Sequence, residues 1–329
     1  MPEHTNSTRP RVFVTRRLPG DAVARLALEA SVDQWTDEMP PPYDELTSRA
    51  AAADAMICLL TDRIDAALLD AAPSLRVIAN VAVGYDNIDV AAATARHIPV
   101  GNTPGVLTET TADLAFALIL ACARRVVEAE RFVRDGRWRT WDPGLLLGYD
   151  VHGATLGIIG YGKIGQAVAR RAAGFDMRVL YTSRSAANDG AIGERVDLDT
   201  LLRASDFVSL HVPMTPETTK MIGERELQLM KPTAFVINTA RGGALDQSAL
   251  VRALEAGAIA GAGLDVAEIE PIPAGGALMR APNVTLLPHI GSATHATRER
   301  MAAMAVDNCL AALRGDRMPH CVNPDVYSA

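Results

Sequence analysis

At 329 residues the chain exceeds what one hydrophobic core ordinarily supports, so two domains are expected. Hydrophobic residues at 49% with 22% charged describe a soluble globular protein, and 39 acidic against 32 basic side chains leave a formal charge of −7. That sign argues against nucleic acid or an anionic membrane surface as the main partner. The longest apolar run, Leu114 to Ala123, is too short to cross a bilayer. Cys58, Cys122, Cys309 and Cys321 lie far apart with no CxxC pair, so neither a metal site nor a disulfide framework is expected, and a cytoplasmic location is. The polar stretch Met1 to Pro10 lacks the apolar core of a signal peptide and reads as a frayed leader.

In chain order, Arg11 to Thr15 predicts a short strand and Pro19 to Ala30 an Ala/Leu helix, followed by a polar connection through Pro40, Pro41 and Pro42. A helix from Tyr43 to Ala53, a strand from Ala55 to Leu60, a helix near Asp65 to Ala72 and strands at Val77 to Asn80 and Val100 to Asn102 come next. Strands alternating with helices at this spacing predict a parallel sheet covered on both faces. Thr103-Pro104-Gly105 breaks the pattern, and one long helix is predicted from Thr108 to Val133, then a loop carrying Trp138 and Trp141.

Beyond the loop, Ala154 to Ile159 is an apolar, β-branched run that stops at Gly160, and an Ala- and Arg-rich stretch of helical spacing begins after Gly165. Between them Gly160-Tyr161-Gly162-Lys163-Ile164-Gly165 stands in the GxGxxG order. Such glycines let the turn close, let the backbone approach a pyrophosphate and let the helix pack on its strand, with the anion on the helix's free N–H groups. A second strand, Met177 to Tyr181, completes a βαβ unit within the ~30 residues the fingerprint requires. Further strands are predicted at 207–210, 234–238, 261–266 and 284–287, and a last helix from Ala293 to Arg314.

Ligands of such sheets bind outside the carboxyl ends of the strands. There stand Arg241, in Asn238-Thr239-Ala240-Arg241-Gly242-Gly243; the acids Glu268 and Glu270 before Pro271; and His289, between Pro288 and Ile290-Gly291. A guanidinium grips a carboxylate through two parallel hydrogen bonds, and a strand-end imidazole suits a proton donor, the more so with a carboxylate that orients the ring and favours the imidazolium.

Together with Val83-Gly84-Tyr85-Asp86-Asn87-Ile88-Asp89, Asn102-Thr103-Pro104-Gly105-Val106-Leu107-Thr108 and Gly263-Leu264-Asp265-Val266, these motifs resemble the D-isomer-specific 2-hydroxyacid dehydrogenases from Val12 to the terminal helix, and most nearly their glyoxylate and hydroxypyruvate reductases. The resemblance implies two doubly wound parallel-sheet α/β domains. A flavodoxin-like substrate domain would span 1–103 and 292–329, and a Rossmann-type cofactor domain 104–291, with a hinge motion between them. It implies that Arg241 holds the substrate carboxylate and carbonyl, that His289 oriented by Glu270 gives a proton to the carbonyl oxygen, and that amides at Val83 and Gly84 hold the same carboxylate. Glu268 is read as solvated. Cofactor contacts are implied for His211, Val212 and Pro213 on the adenosine side, for Thr239, Ala240 and Gly291, and for Asp265 at the nicotinamide carboxamide. Leu60, Trp138 and Trp141 are candidates for the pocket wall, and the tryptophan loop reaches toward the partner in the family's homodimers. The other histidines have no evident partner.

NAD-specific members end the second strand of the nucleotide unit with an acid for the ribose 2′-OH. Here Thr182 is followed by Ser183, Arg184 and Ser185, which offer hydroxyls and a guanidinium to a 2′-phosphate. NADPH is therefore expected over NADH. The same architecture also resembles D-3-phosphoglycerate dehydrogenase and formate dehydrogenase, and dinucleotide-sensing corepressors of the C-terminal-binding type. No appended regulatory domain is expected.

Overall fold

The computed structural model describes residues 9–184 and 191–328. The chain divides into two compact units, one built from residues up to Leu107 together with those from Ala293 onward, the other from Thr108–Ser292.

In the first unit, β1 (Arg11–Val14), β2 (Ser31–Gln34), β3 (Ala55–Cys58), β4 (Val77–Asn80) and β5 (Val100–Gly101) form an all-parallel sheet in the order β2-β1-β3-β4-β5. β3 and β4 are buried at every position, which is why they read as unbroken apolar runs. β2, Ser-Val-Asp-Gln, was not evident from sequence: it is an edge strand with alternating exposure, so half its residues face water and no apolar run marks it. The helix expected from Pro19 to Ala30 is accordingly shorter, Ala22–Ala27. One face of the sheet packs Val12, Val14 and Ile57 against Met301, Ala305 and Cys309 of the terminal helix His295–Leu313. The other packs Phe13 and Met56 against Leu46, Leu68 and Leu69 of the helices Tyr43–Ala51 and Ala66–Ala71. The terminal helix is thus core to this unit, and its buried Asn308 donates to the Asn102 carbonyl and accepts from the His320 amide.

In the second unit, β6 (Thr155–Ile159), β7 (Arg178–Thr182), β8 (Glu194–Arg195), β9 (Phe207–Leu210), β10 (Phe235–Asn238), β11 (Gly261–Leu264) and β12 (Val284–Leu286) are parallel in the order β12-β11-β10-β9-β6-β7-β8. The chain starts in the middle and winds outward both ways, so its switch point lies between β6 and β9, where open α/β sheets bind ligands. The corresponding point of the first sheet lies between β1 and β3.

The single long helix expected from Thr108 to Val133 is two helices, Thr108–Ala123 and Val126–Arg134. Arg125 takes a left-handed backbone (φ 52°) between them, and the Ala123 carbonyl that would continue the ladder instead accepts the Tyr149 amide at 2.9 Å. The first helix is deeply buried along Ala112, Ala115, Phe116 and Ile119, whereas the second buries no residue. The strand expected to run to Val266 ends at Leu264, leaving Asp265 as the first residue past the sheet.

Candidate active site

The glycines of the fingerprint have three different physical reasons. Gly160 follows β6 with φ +94°, and a Cβ there would lie 2.5 Å from the His211 carbonyl oxygen. A Cβ on Gly165 would sit 2.2 Å from the Gly160 carbonyl oxygen, so a glycine is what allows the helix Lys163–Ala173 to rest on the turn. Gly162 has nothing within 4 Å of its missing Cβ, and as N-cap it supplies no side-chain acceptor. No N-cap side chain therefore satisfies the first-turn N–H groups, an arrangement ready for an anion. Tyr161 is buried and stacks on Tyr181 at 3.9 Å while donating to the Ile192 carbonyl at 2.6 Å. Lys163 faces solvent, and Ile164 packs on the core.

At the tip of β7, Ser183 is half-buried and Arg184 exposed, with no acid in either place; Ser185 lies outside the described residues. Arg195 of β8 donates to the Ser183 carbonyl at 2.7 Å and so ties this tip down. Arg184 has Glu217 nearby, whose carboxyl is held below its usual range chiefly by the Thr215 hydroxyl, with the Arg184 charge adding to it. Past β9, His211 bonds the Ser209 hydroxyl through Nε2 at 2.8 Å, while Nδ1 is buried with no partner. The residue keeps some exposure through other atoms, but burial of its ring nitrogens pushes its pKa down to about 4, so the ring is neutral at physiological pH. Past β10 the Thr239 hydroxyl is likewise buried without a partner. Two unpaired polar atoms past the strand ends, on the same sheet edge as the uncapped helix start, fit a large polar ligand laid across that edge.

The structure brings Arg241, Glu270 and His289 together. Asn238, the last residue of β10 and fully buried, accepts the Ala240 amide at 3.0 Å and donates to the Arg241 carbonyl at 2.9 Å, which fixes the backbone that carries the guanidinium. A Cβ on Gly242 would fall 1.9 Å from Ala267, so only glycine lets this loop lie against the Ala267 to Glu270 segment. The Arg241 charge reaches the Glu270 carboxylate, and its Nη1 donates to the Ala240 carbonyl at 2.9 Å. Glu270 accepts the Ala267 amide at 2.9 Å on one oxygen and contacts His289 Nδ1 at 2.7 Å with the other. Burial pushes the Glu270 carboxyl up, but the hydrogen bond to His289, the Ala267 amide and the Arg241 charge outweigh it and hold the group below its ordinary 4.5.

His289 has a left-handed backbone, φ 56°. For a non-glycine residue this costs about 1–2 kcal/mol. Asp265 is what sustains it: its carbonyl accepts the His289 amide at 2.9 Å, and its carboxylate takes the Ile290 and Gly291 amides at 2.7 Å each. Burial raises the Asp265 carboxyl, and those two amides offset part of the rise. Each carboxylate oxygen thus braces the histidine loop with one amide, and the remaining lone pairs stay open to the carboxamide contact expected of Asp265. Glu268, expected to be solvated, pairs with Lys220 at 3.5 Å and accepts the Gln247 amide at 3.3 Å. His152, expected to lack a partner, pairs with Asp176 at 3.0 Å. Sequence reasoning missed Asn238 and the bracing by Asp265; a polar residue that closes an apolar strand was the available signal.

In the first unit, Val83 and Gly84 lie in the loop after β4, half-buried. Their carbonyls accept Asn102 Nδ2 at 2.8 Å and Asn80 Nδ2 at 3.0 Å, leaving the two N–H groups outside the loop's own hydrogen bonding.

Residues 116–291 match the family model described as D-isomer specific 2-hydroxyacid dehydrogenase, NAD binding domain. The chain belongs to the D-isomer specific 2-hydroxyacid dehydrogenase family. The matched segment falls within the seven-stranded unit and ends on Gly291, at the brace of the histidine loop. Over 322 residues this dehydrogenase is 55% identical to a glyoxylate reductase of Korarchaeum cryptofilum, covering 97% of each chain. A crystallised protein of Thermus thermophilus superposes with a TM-score of 0.91 at 49% identity, covering 95% of this chain and 99% of that one. An NADPH-dependent glyoxylate/hydroxypyruvate reductase of Sinorhizobium meliloti, solved with NADP and malonate, gives 0.84 at 35% identity, covering 96% of this chain and 97% of that one. Among the described residues no helix is long and apolar enough to cross a membrane.

Proposed function

We propose that this dehydrogenase reduces small 2-oxo acids, glyoxylate and hydroxypyruvate, to 2-hydroxy acids, with NADPH preferred and NADH accepted. The observation that carries the reading is the 2.7 Å contact between His289 Nδ1 and Glu270, with the Arg241 charge on the same carboxylate. With Nδ1 held by a carboxylate, Nε2 is the nitrogen left to deliver a proton. Arg241 holds the substrate carboxylate and steadies the carbonyl oxygen on which negative charge grows, and the amides of Val83 and Gly84 take the same carboxylate. When bound, NADPH would supply the hydride that the carbonyl carbon accepts, its two electrons leaving the nicotinamide oxidised. As that C–H bond forms, the proton from His289 completes the hydroxyl, and the imidazole is recharged from solvent.

The bare first turn of the helix Lys163–Ala173 takes the pyrophosphate, and Ser183 and Arg184 the 2′-phosphate. His211, Val212 and Pro213 flank the adenosine, with Thr239, Ala240 and Gly291 toward the nicotinamide. The names of the Korarchaeum and Sinorhizobium relatives support the substrate and cofactor. We assign a homodimer to the exposed segment that follows the buried helix: Val126, Val133, Trp138, Trp141 and Leu147 are all more than half exposed. Four free thiols support a cytoplasmic location.

A panel of glyoxylate, hydroxypyruvate and pyruvate with NADPH and NADH tests the reading. Saturable NADPH oxidation with the two named acids is expected; tight cofactor binding without turnover of any 2-oxo acid would contradict it.

A further inference from the structure

The carboxyl edge of the five-stranded sheet carries side-chain amides bonded to one another and to the backbone. Asn87 Nδ2 donates to the carbonyls of both Leu59 and Asp62, each at 3.0 Å. Its Oδ1 accepts from Asn80 Nδ2 at 3.2 Å, and Asn80 Nδ2 also reaches the Gly84 carbonyl at 3.0 Å. The backbone of Asn87 is fixed as well, because its carbonyl accepts the Ile64 amide at 2.9 Å.

The anchor of this set is rigid. Asp62, 2% exposed, takes the Leu59 amide at 2.8 Å and the buried Thr15 hydroxyl at 2.5 Å on one carboxylate oxygen, at the β1/β3 switch point. The segment from Leu59 to Asp62 therefore cannot follow a moving Asn87. Asn80 is fully buried in β4 and cannot follow either. Between these fixed points the carbonyl of Gly84 is turned inward, and Asn102 turns the carbonyl of Val83 the same way. The chain bends at Val81 to Val83, and because an N–H points opposite the carbonyl of the residue before it, the inward Val83 carbonyl turns the Gly84 N–H outward while the Gly84 anchor fixes the bend that carries both residues.

We infer that Asn87 is a positioning residue for substrate: by bridging Leu59 and Asp62 to Asn80 it presets the loop whose Val83 and Gly84 amides receive the 2-oxo acid carboxylate. This rests on the assignment of those amides proposed above. The carboxamide is required because both of its N–H bonds meet carbonyl oxygens. An aspartate of the same shape would set a negative charge against two acceptors.

The test uses full-length Asn87→Asp and Asn87→Ala beside wild type, with glyoxylate and with methylglyoxal, which offers a similar carbonyl without a carboxylate. Thermal unfolding confirms folding, and the alanine variant serves if the aspartate variant does not fold. The expected result is a glyoxylate KM raised tenfold or more, kcat within threefold, NADPH affinity within twofold, and a reduced preference for glyoxylate over methylglyoxal. A folded variant with a glyoxylate KM within twofold of wild type overturns the role of Asn87, as does a fall in kcat at unchanged KM. Wild type that does not prefer glyoxylate to methylglyoxal overturns the carboxylate assignment beneath it, and the positioning role falls with it.

Discussion

The carboxyl edges of the two sheets solve the same problem in opposite ways. On the seven-stranded sheet, groups are left unsatisfied or charged: a bare helix start at Gly162, an unpartnered His211 Nδ1 and Thr239 hydroxyl, and the convergent Arg241, Glu270 and His289. On the five-stranded sheet, Asn80 and Asn87 bond one another, Asn80, Asn87 and Asn102 each hold a backbone carbonyl, and the unpartnered side-chain atoms are Asp62 Oδ1 and the Thr103 hydroxyl. Open valences beside convergent charges suit a large polar cofactor and a reaction that develops charge, whereas side-chain amides that hold a loop's carbonyls suit holding a small anion without changing its chemistry. The contrast predicts that damage to the first edge lowers turnover, while damage to the second raises KM.

The largest effect belongs to Arg241→Ala, which removes both the carboxylate grip and the charge at the carbonyl oxygen. Glyoxylate kcat/KM is expected to fall about 10³-fold in steady-state assays. Glu270→Gln keeps the shape but removes the charge that holds His289. We expect a loss of about 10- to 100-fold in kcat, read in steady-state assays. The sign at the acid end of the pH–rate profile follows from the lowered Glu270 carboxyl. Ionised in the fold, it contributes fully above its ordinary 4.5, and that contribution is lost only as the pH falls through a still lower value. Wild type should therefore show no activity loss from this group above pH 4.5.

Arg184→Ala sharpens the cofactor side. Its KM for NADPH should rise about tenfold, the usual worth of one charge-assisted pair, with NADH changed less than twofold. Equal effects on both would mean that Arg184 packs on adenine instead.

The smallest effect is on stability. His211 is lowered to about 4, so the unfolded chain takes up a proton below pH 6.5 that the fold refuses until about pH 4. Stability is then fully present above pH 6.5 and lost as the pH falls across that window, by on the order of 3 kcal/mol. Unfolding of His211→Gln followed from pH 7 to pH 4.5 should show a shallower decline than wild type; equal slopes would break this account.

The same contrast decides what was legible in the sequence. The glycine turn, Arg241, Glu270 and His289 announce themselves because spacing and residue type are set by sterics and charge, as the 1.9 Å approach at Gly242 and the 2.2 Å approach at Gly165 illustrate. β2 could not be read, since an edge strand needs no apolar run, and neither could the break at Arg125, which depends on where Tyr149 returns to cap Ala123. Asp265 was visible as a strand-end acid, but that its carboxylate also braces the Ile290 and Gly291 amides follows only from the left-handed turn at His289. The bridging by Asn87 could not be read from its motif, because the carbonyls it meets come from another segment, at Leu59 and Asp62.

The central claim is that an imidazole held by a carboxylate delivers the proton while hydride reaches a 2-oxo acid. Glyoxylate-dependent oxidation of NADPH, followed at saturating substrate in wild type and His289→Gln with NADPH affinity measured in parallel, tests it most directly. The account predicts a kcat lowered about 10²- to 10⁴-fold at unchanged cofactor affinity; a variant that keeps wild-type turnover would contradict it.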